Sequence, residues 1–245
     1  MTISSGESIQ IEYPDTDGLP MAESDFQRQY LTYAVEVLRI YFQNHADVYV
    51  SGNLFIYYER GNPKAVVAPD VFVVFGVAKR DRFSYKLWVE ENIAPNFILE
   101  ITSKSTVSED QGIKRGVYAF LGVREYFQYD PTGDYLDPEL KGLRLVEGNY
   151  LPMPATVLPD GSRSLRSEVL ELELRVQAGS LRFYDPVSGE KLLTHQESEQ
   201  ARAQAEQARA QAIPRLLELG LSVEQVAGAL LFVSAASEAR ESTIK

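Results

Sequence analysis

Two apolar runs, each interrupted by one acidic residue, dominate the hydrophobic pattern of the chain. The first run spans residues 65–75 and contains Asp70, and the second spans residues 95–103 and contains Glu100. Continuous apolar runs of this length are typical of strands that are buried on both faces of a sheet. A carboxylate in such a strand loses much of its hydration, which is costly unless a partner or a metal compensates. The two acids therefore indicate a shared ligand, most simply a divalent cation.

A helical spacing of apolar residues follows the second run. We expect a helix over residues 108–121 with one buried apolar face. Two interpretations of Lys114, which lies beside this face, are open. With Asp110, four residues earlier, it forms a solvated surface pair worth about 0.2–0.5 kcal/mol, or the helix carries it back over the strand that holds Glu100. The apolar positions of the expected face are Ile113, Val117, Phe120 and Leu121.

The remaining pattern predicts an α/β domain. A helix is expected to begin after Ser24, with Gln27 in a capping-box position, and to reach Asn44. Short apolar segments on either side of residues 51–53 predict a β-hairpin. The apolar stripe of the helix consists of Phe26, Tyr30, Tyr33, Val37 and Ile40. Later strands are predicted at residues 125–129, around 143–146 and at 170–176.

The C-terminal part of the chain has a different composition. Residues 199–205 recur unchanged at 206–212, and this seven-residue repeat consists of strong helix formers. The alanine-rich repeat is typical of a solvated single helix. The apolar residues between 216 and 232 instead predict that this segment docks on the core or on a second subunit. Docking on a second subunit would make the protein a homodimer. We therefore divide the chain into a domain of residues 1–190 and a helical tail of residues 191–245.

Composition and charge narrow the choice of function. The absence of cysteine excludes thiolate sites and disulfides, and the two histidines, His45 and His195, read as surface residues rather than zinc ligands. We find no secretion signal and no apolar stretch of membrane-spanning length, which predicts a cytoplasmic protein without a membrane partner.

The net charge of −11 opposes nucleic-acid binding. The densest basic segment, Lys79 to Lys86, is either a phosphate contact or a solvated loop.

The acid-bearing runs and the helix after them resemble the PD-(D/E)XK nuclease superfamily, and more closely its bacterial "putative restriction endonuclease" family. The likeness covers roughly the first 190 residues. It implies a restriction-endonuclease-like fold, in which helices flank a mixed β-sheet, and an acid pair that binds Mg²⁺ or Mn²⁺. The motifs that carry it are Pro69-Asp70-Val71, Glu100 to Ser103 with Ser105-Thr106, the spacing of Asp110, Lys114 and Tyr118, and Gly122 to Phe127 leading to Asp130-Pro131.

One position departs from the superfamily pattern. The superfamily has a lysine two residues after the second acid, where this chain has Thr102. Likeness to the closer family favours Lys114 as a migrated catalytic lysine, and Lys104 is the competing candidate. Residues 103–106 read more as a loop and helix N-cap than as a continued strand, which also favours Lys114.

The resemblance implies metal-assisted hydrolysis of phosphodiester bonds in nucleic acid, with DNA as the first choice of substrate. Asp70, Glu100 and the backbone carbonyl of Ile101 are expected to hold one or two hard cations. Lys114 is expected to stabilise charge on the phosphoryl oxygens. Glu36, in the first helix, is either a further acidic ligand or an exposed helix acid.

A different class of function competes with the nuclease. A catalytically inactive member of the fold could act as a binding or assembly module. The acidic net charge and the displaced lysine favour this module, whereas the two acids at strand positions favour the enzyme.

Overall fold

The computed structural model describes residues 11–16, 24–103, 106, 108, 110, 112–220, 222, 224, 225 and 228. The chain divides into two compact units, one up to Leu192 and one from Leu193 onwards. In chain order the elements are α1 (Asp25–Tyr41), β1 (Val48–Ser51), β2 (Ile56–Tyr57), β3 (Val66–Val67), β4 (Val71–Phe75), β5 (Tyr85–Lys86), a 3-10 helix (Leu87–Val89), β6 (Phe97–Ile101), α2 (Ile113–Phe120), β7 (Glu125–Tyr129), β8 (Leu140–Val146), β9 (Asn149–Pro152), β10 (Thr156–Val157), β11 (Arg163–Ser167), β12 (Leu172–Gln177), β13 (Ser180–Tyr184) and α3 (His195–Glu218).

The largest sheet has the strand order β1-β4-β6-β7-β8-β9. Within it β6 and β7 run parallel, and the other neighbouring strands are antiparallel. A parallel pair requires a crossover connection, and the segment that contains α2 provides it. The predicted α/β fold with a mixed sheet is confirmed. Smaller sheets are formed by β10 to β13 and by β3, β2 and β5.

Helices cover both faces of this sheet. On one face α1 packs against Val73 and Leu99 through residues such as Val37. On the other face Tyr118 of α2 belongs to the same apolar cluster as Ile98. All five residues of β6 are buried, which explains why this strand is apolar in sequence apart from Glu100.

The predicted hairpin at residues 51–53 is wrong. β1 pairs with β4, with Val48 opposite Phe75, whereas β2 pairs with β3 and β5 in a separate sheet. A Cβ atom added to Gly52 would lie 2.2 Å from the carbonyl oxygen of Asp70, so the chain leaves β1 in tight contact with β4. Residues 51–53 therefore connect strands of two different sheets. Local turn signals do not distinguish such a connection from a hairpin.

Helix α1 begins as predicted, because the Ser24 side chain accepts a hydrogen bond from the Gln27 N–H at 3.2 Å. It ends at Tyr41, three residues before the expected Asn44. The predicted apolar stripe is only partly correct, since Phe26 is 56% exposed. The buried residues of the helix are Tyr30, Tyr33, Ala34, Val37 and Leu38.

The predicted buried face of the second helix is wrong. Ile113 and Phe120 are 74% and 80% exposed. The buried residues of α2 are instead Lys114 and Tyr118. The helix turns these polar side chains inward because they meet a buried carboxylate of the sheet, as described below.

The second unit contains α3, which starts with a capping box between Thr194 and Glu197. The helix runs through the seven-residue repeat and continues past Pro214 to Glu218. Most of the apolar segment between 216 and 232 lies outside the described residues, and its docking stays a prediction. None of the helices in the described ranges has both the length and the apolar character needed to cross a membrane.

Candidate active site

The two acidic residues predicted from the apolar runs lie next to each other. β4 and β6 are antiparallel neighbours with Val71 opposite Leu99, which brings Asp70 beside Glu100. The Ile101 N–H donates a hydrogen bond to Asp70 Oδ2 at 2.7 Å, and the Asp70 N–H donates to Glu100 Oε2 at 3.3 Å. Asp70 is 7% exposed and Glu100 is fully buried. The sheet therefore holds two carboxylates together away from water.

The buried face of α2 brings a cation and a hydroxyl to this pair. Lys114 Nζ lies 3.2 Å from Glu100 Oε1 and 3.2 Å from Asp110 Oδ1. The Tyr118 hydroxyl donates a hydrogen bond to Glu100 Oε1 at 2.5 Å. The interpretation of Asp110 and Lys114 as a solvated surface pair is wrong, because Asp110 is buried and Lys114 is only 9% exposed.

Burial sets the electrostatics of the cluster. Desolvation raises the pKa of Asp70, against the opposing effects of the Ile101 hydrogen bond and the Lys114 charge. The pKa of Glu100 is raised well above its ordinary value by desolvation and then by the Asp70 charge, although Lys114 opposes the shift. Burial alone would lower the pKa of Lys114, but Glu100, Asp110 and Asp70 together hold it above its ordinary value. Lys114 thus compensates the carboxylates only in part.

The ligand atoms that Asp70 and Glu100 offer determine whether the site fits a metal ion. Asp70 and Glu100 offer carboxylate oxygens, the ligands that Mg²⁺ and Mn²⁺ prefer. A divalent cation would also relieve the charge that makes both acids costly to ionise. In the described residues no group of three or more His, Asp or Glu side chains is arranged to hold a metal. The pair therefore fits a hard cation by chemistry, with further ligands from backbone or water.

Cations of the basic segment form contacts within the protein. Arg80 and Arg82 both form ion pairs with Glu90, at 2.6 and 2.9 Å. The Arg82 guanidinium also lies 4.2 Å from the centre of the Tyr49 ring, and its side chain is almost completely buried. Lys79 Nζ donates to two backbone carbonyls beyond the end of α1, at 3.0 and 3.2 Å. The buried Arg82 is therefore not available for a phosphate contact, whereas Lys79, Arg80 and Asp81 are exposed as in a solvated loop.

Two other candidates have different outcomes. Lys104 lies outside the described residues. The preference for Lys114 as the candidate lysine therefore rests on the contacts of Lys114 alone. Glu36 is half-buried in α1, rather than the exposed acid of one interpretation.

Sequence reasoning gave Asp110 and Tyr118 no separate role in the site. Both were visible only as part of a spacing, at four-residue intervals with Lys114 between them. Residues four apart share one helix face, so this spacing after an acid-bearing strand is the signal that could have found them. Gly52 carried no comparable signal, because its contact with Asp70 comes from the pairing of distant strands.

A mixed sheet that holds a buried Asp and Glu beside a helical lysine has the parts of a PD-(D/E)XK-type nuclease domain. The family model described as "Putative restriction endonuclease" (Uma2) matches residues 2–178, and the chain belongs to this family. The predicted family resemblance is thereby confirmed.

Comparison with other proteins adds one solved structure. The chain is similar to a protein from Anabaena variabilis whose crystal structure is described as a putative nuclease belonging to DUF820. The two share 16% identity with a TM-score of 0.40, and the alignment covers 57% of this chain and 74% of that one. No curated protein matches the chain.

Proposed function

We propose that the protein is a divalent-metal-dependent nuclease that hydrolyses phosphodiester bonds of nucleic acid, with DNA as the first substrate to test. The observation that carries the proposal is the buried pair of Asp70 and Glu100 with Lys114 3.2 Å from Glu100. Membership in the "Putative restriction endonuclease" family supports it. Burying two carboxylates lowers the stability of a fold, because both lose their hydration. A role in binding a cation and a phosphate explains why such a pair is present.

Each residue has a role in this proposal. Asp70, Glu100 and the Ile101 carbonyl would hold Mg²⁺ or Mn²⁺, which when bound polarises a phosphate and lowers the pKa of water. Lys114, held in its charged form by the surrounding carboxylates, stabilises negative charge on the phosphoryl oxygens. Tyr118 fixes the rotamer of Glu100 through its hydrogen bond.

The overall reaction is a simple displacement. The oxygen of a water molecule bonds to phosphorus, and the bond from phosphorus to the leaving sugar oxygen breaks. The attacking water loses one proton, and the leaving oxygen takes one up, so no covalent enzyme intermediate is required.

One observation favours the competing function, an inactive binding or assembly module. The cations of the basic segment pair with Glu90 and with backbone carbonyls, and the chain carries a net charge of −11. Nucleic-acid binding normally uses free basic surface. If the module is correct, its ligand is a protein rather than a polyanion, and the acid pair binds no metal.

Calorimetric titration with Mg²⁺ and Mn²⁺ separates the two functions without a known substrate. We expect binding to the wild type and its loss in Glu100→Gln, which keeps the size of the side chain but removes its charge. Binding would justify incubating the protein with supercoiled plasmid, single-stranded DNA and RNA, to define the substrate. Absence of binding to the wild type would refute the nuclease proposal.

We also propose that the helical tail, residues 191–245, mediates a homodimer. Its support is the apolar sequence after the repeat, which is unusual for a solvated helix. Light scattering of the full chain should give twice the monomer mass, and Leu217→Glu should shift it towards the monomer. A monomeric wild type at all concentrations would refute the dimer.

A further inference from the structure

Unpaired polar atoms are concentrated at one place in the described part of the chain. The buried side-chain atoms without a geometrically ideal hydrogen bond are Thr102 Oγ1, both carboxylate oxygens of Asp110 and Gln128 Nε2. Of these, Asp110 Oδ1 has an ion pair with Lys114 Nζ at 3.2 Å. The three residues are 2%, 1% and 4% exposed. Native proteins leave few buried polar groups unsatisfied, because each loses its hydration without compensation. Their clustering indicates that these atoms share a polar ligand.

The sheet register places two of these residues beside the acid pair. Gln128 is opposite Glu100 in the parallel pairing of β6 with β7, and neighbouring strands lie about 4.8 Å apart. Thr102 follows Glu100 by two positions, so both side chains project from the same face, about 6.6 Å apart along the strand. The Thr102 N–H donates to the Tyr129 carbonyl at 2.7 Å, which continues the ladder through this position.

Asp110 is attached to the same face by other contacts. Its backbone carbonyl accepts a hydrogen bond from the Tyr126 hydroxyl at 2.8 Å. Tyr126 projects from the same face of β7 as Gln128. Burial raises the pKa of the Tyr126 hydroxyl, and a hydrogen-bond interaction with the Gln128 side chain opposes this rise. The Asp110 carboxylate reaches Lys114, which contacts Glu100. Two of the three residues are thus linked to Glu100 through the strands and the third through Lys114.

The mixture of donors and acceptors favours water as the ligand. The Gln128 amide nitrogen only donates, the Thr102 hydroxyl donates or accepts, and the Asp110 carboxylate accepts. A water molecule matches this set, since it accepts from the amide and the hydroxyl while donating to the carboxylate. A cation does not match it, because the amide N–H group would face positive charge.

We propose that Thr102, Asp110 and Gln128 form a water pocket and that its water is the attacking nucleophile. This inference rests on the nuclease function proposed above. In the step, the water oxygen bonds to phosphorus, its proton passes to the Asp110 carboxylate, and the bond to the leaving sugar oxygen breaks. The leaving oxygen takes a proton from solvent. Thr102 and Gln128 position the water, and Asp110 is its proton acceptor.

A test of the pocket itself needs no activity. A high-resolution crystal structure of the metal-free protein should show an ordered water within hydrogen-bond distance of Thr102 Oγ1 and Gln128 Nε2. Thermal unfolding gives a second readout through Thr102→Val, which keeps the shape of the side chain. A filled pocket predicts a lower Tm, because the water loses a partner, whereas a dry pocket predicts a higher Tm, because an unpaired hydroxyl is removed. A dry pocket would overturn the inference.

The catalytic part is tested by plasmid cleavage with Mg²⁺. Thr102→Val and Gln128→Leu should each lower kcat by roughly 10²-fold with little change in KM or in Mg²⁺ affinity. Thr102→Ser, which keeps the hydroxyl, should recover most of the activity, and the exposed Gln43→Leu should behave as wild type. An active wild type with a fully active Thr102→Val overturns the water role alone. A wild type that binds Mg²⁺ but cleaves no nucleic acid overturns both proposals.

Discussion

Asp70 and Glu100 are held together through the backbone of each other's strand. The Asp70 N–H donates to Glu100 Oε2, and the N–H of Ile101, the residue after Glu100, donates to Asp70 Oδ2. These hydrogen bonds fix both carboxylates although burial raises the pKa of each. The pair is therefore positioned by the sheet before any ligand binds, and its charge is the part that a ligand must compensate.

Removing one charge while keeping its hydrogen bond separates these two effects. Asp70→Asn still offers an oxygen to the Ile101 N–H, so we expect the metal-free variant to be as stable as the wild type or more stable at pH 8. Mg²⁺ at about 100 times its Kd should stabilise the wild type by about 2.7 kcal/mol and the variant not at all. Thermal unfolding with and without Mg²⁺ measures both, with the exposed Asp134→Asn as the control. Equal stabilisation of both proteins would remove Asp70 from the metal site.

The contribution of the acid pair to the stability of the metal-free protein should fall as the pH rises from acidic to alkaline values. In the folded state the pKa of Asp70 and of Glu100 is raised, above unfolded values near about 4. Between the unfolded and folded pKa values the folded state binds more protons, so this contribution is complete below pH about 4 and declines through the raised pKa.

Urea unfolding in EDTA at several pH values measures this slope. The double variant Asp70→Asn, Glu100→Gln should lack this contribution, because neither position then titrates, so its free energy of unfolding should rise relative to that of the wild type as the pH rises. A wild-type slope that the double variant reproduces would contradict the assignment of the effect to these two residues.

Lys114 should stabilise the fold as well as the proposed reaction. Lys114→Met leaves Glu100 and Asp110 buried without their cation, and breaking a buried pair in this way costs about 3–5 kcal/mol. The loss should shrink at low pH, where Glu100 becomes neutral. Chemical denaturation compares this variant with the exposed Lys64→Met, for which we expect a change within about 0.5 kcal/mol. Equal effects of the two variants would argue against the buried cluster.

Gly52 should be intolerant of any side chain. The added Cβ of Gly52→Ala would overlap the Asp70 carbonyl oxygen at 2.2 Å, so the end of β1 or the start of β4 must shift. We expect a loss of stability of at least about 2 kcal/mol, with weakened Mg²⁺ binding. The matched control is Gly116→Ala in α2, where a Cβ meets nothing within 4 Å, and there the helix should gain about 0.5–1 kcal/mol. Wild-type Mg²⁺ affinity in Gly52→Ala would show that the contact does not position Asp70.

The run around Glu100 was predicted well, because β6 is buried at every position and such a strand selects apolar residues throughout. The run around Asp70 was predicted only in part, since it divides into β3 and β4 in different sheets and Asp70 lies just before β4. The adjacency of the two runs followed from the need of two buried acids for a common partner. The Ser24 cap was equally local, since it involves residues three apart.

Predictions failed where distant partners decided the structure. The segments flanking Gly52 look like a hairpin locally, but β1 gains more by pairing with the buried β4 than β2 could offer with its two paired residues. The apolar spacing of α2 predicted a buried face containing Ile113, whereas Glu100 attracts Lys114 and Tyr118 instead. Hydrophobic periodicity cannot anticipate this, because the partner that reverses it is a single charge on another element.

The inverted orientation of α2 makes its charged residues evolutionarily interdependent. A mutation of Lys114 alone leaves two buried carboxylates without a neighbouring positive charge. A mutation of Glu100 alone leaves the buried Lys114 ammonium with one negative charge fewer beside it. Each single replacement is therefore expected to destabilise the fold, whether or not the site is used. Homologues that lack this cluster are expected to have replaced Glu100, Asp110 and Lys114 as a set, and to carry an ordinary amphipathic helix at this place.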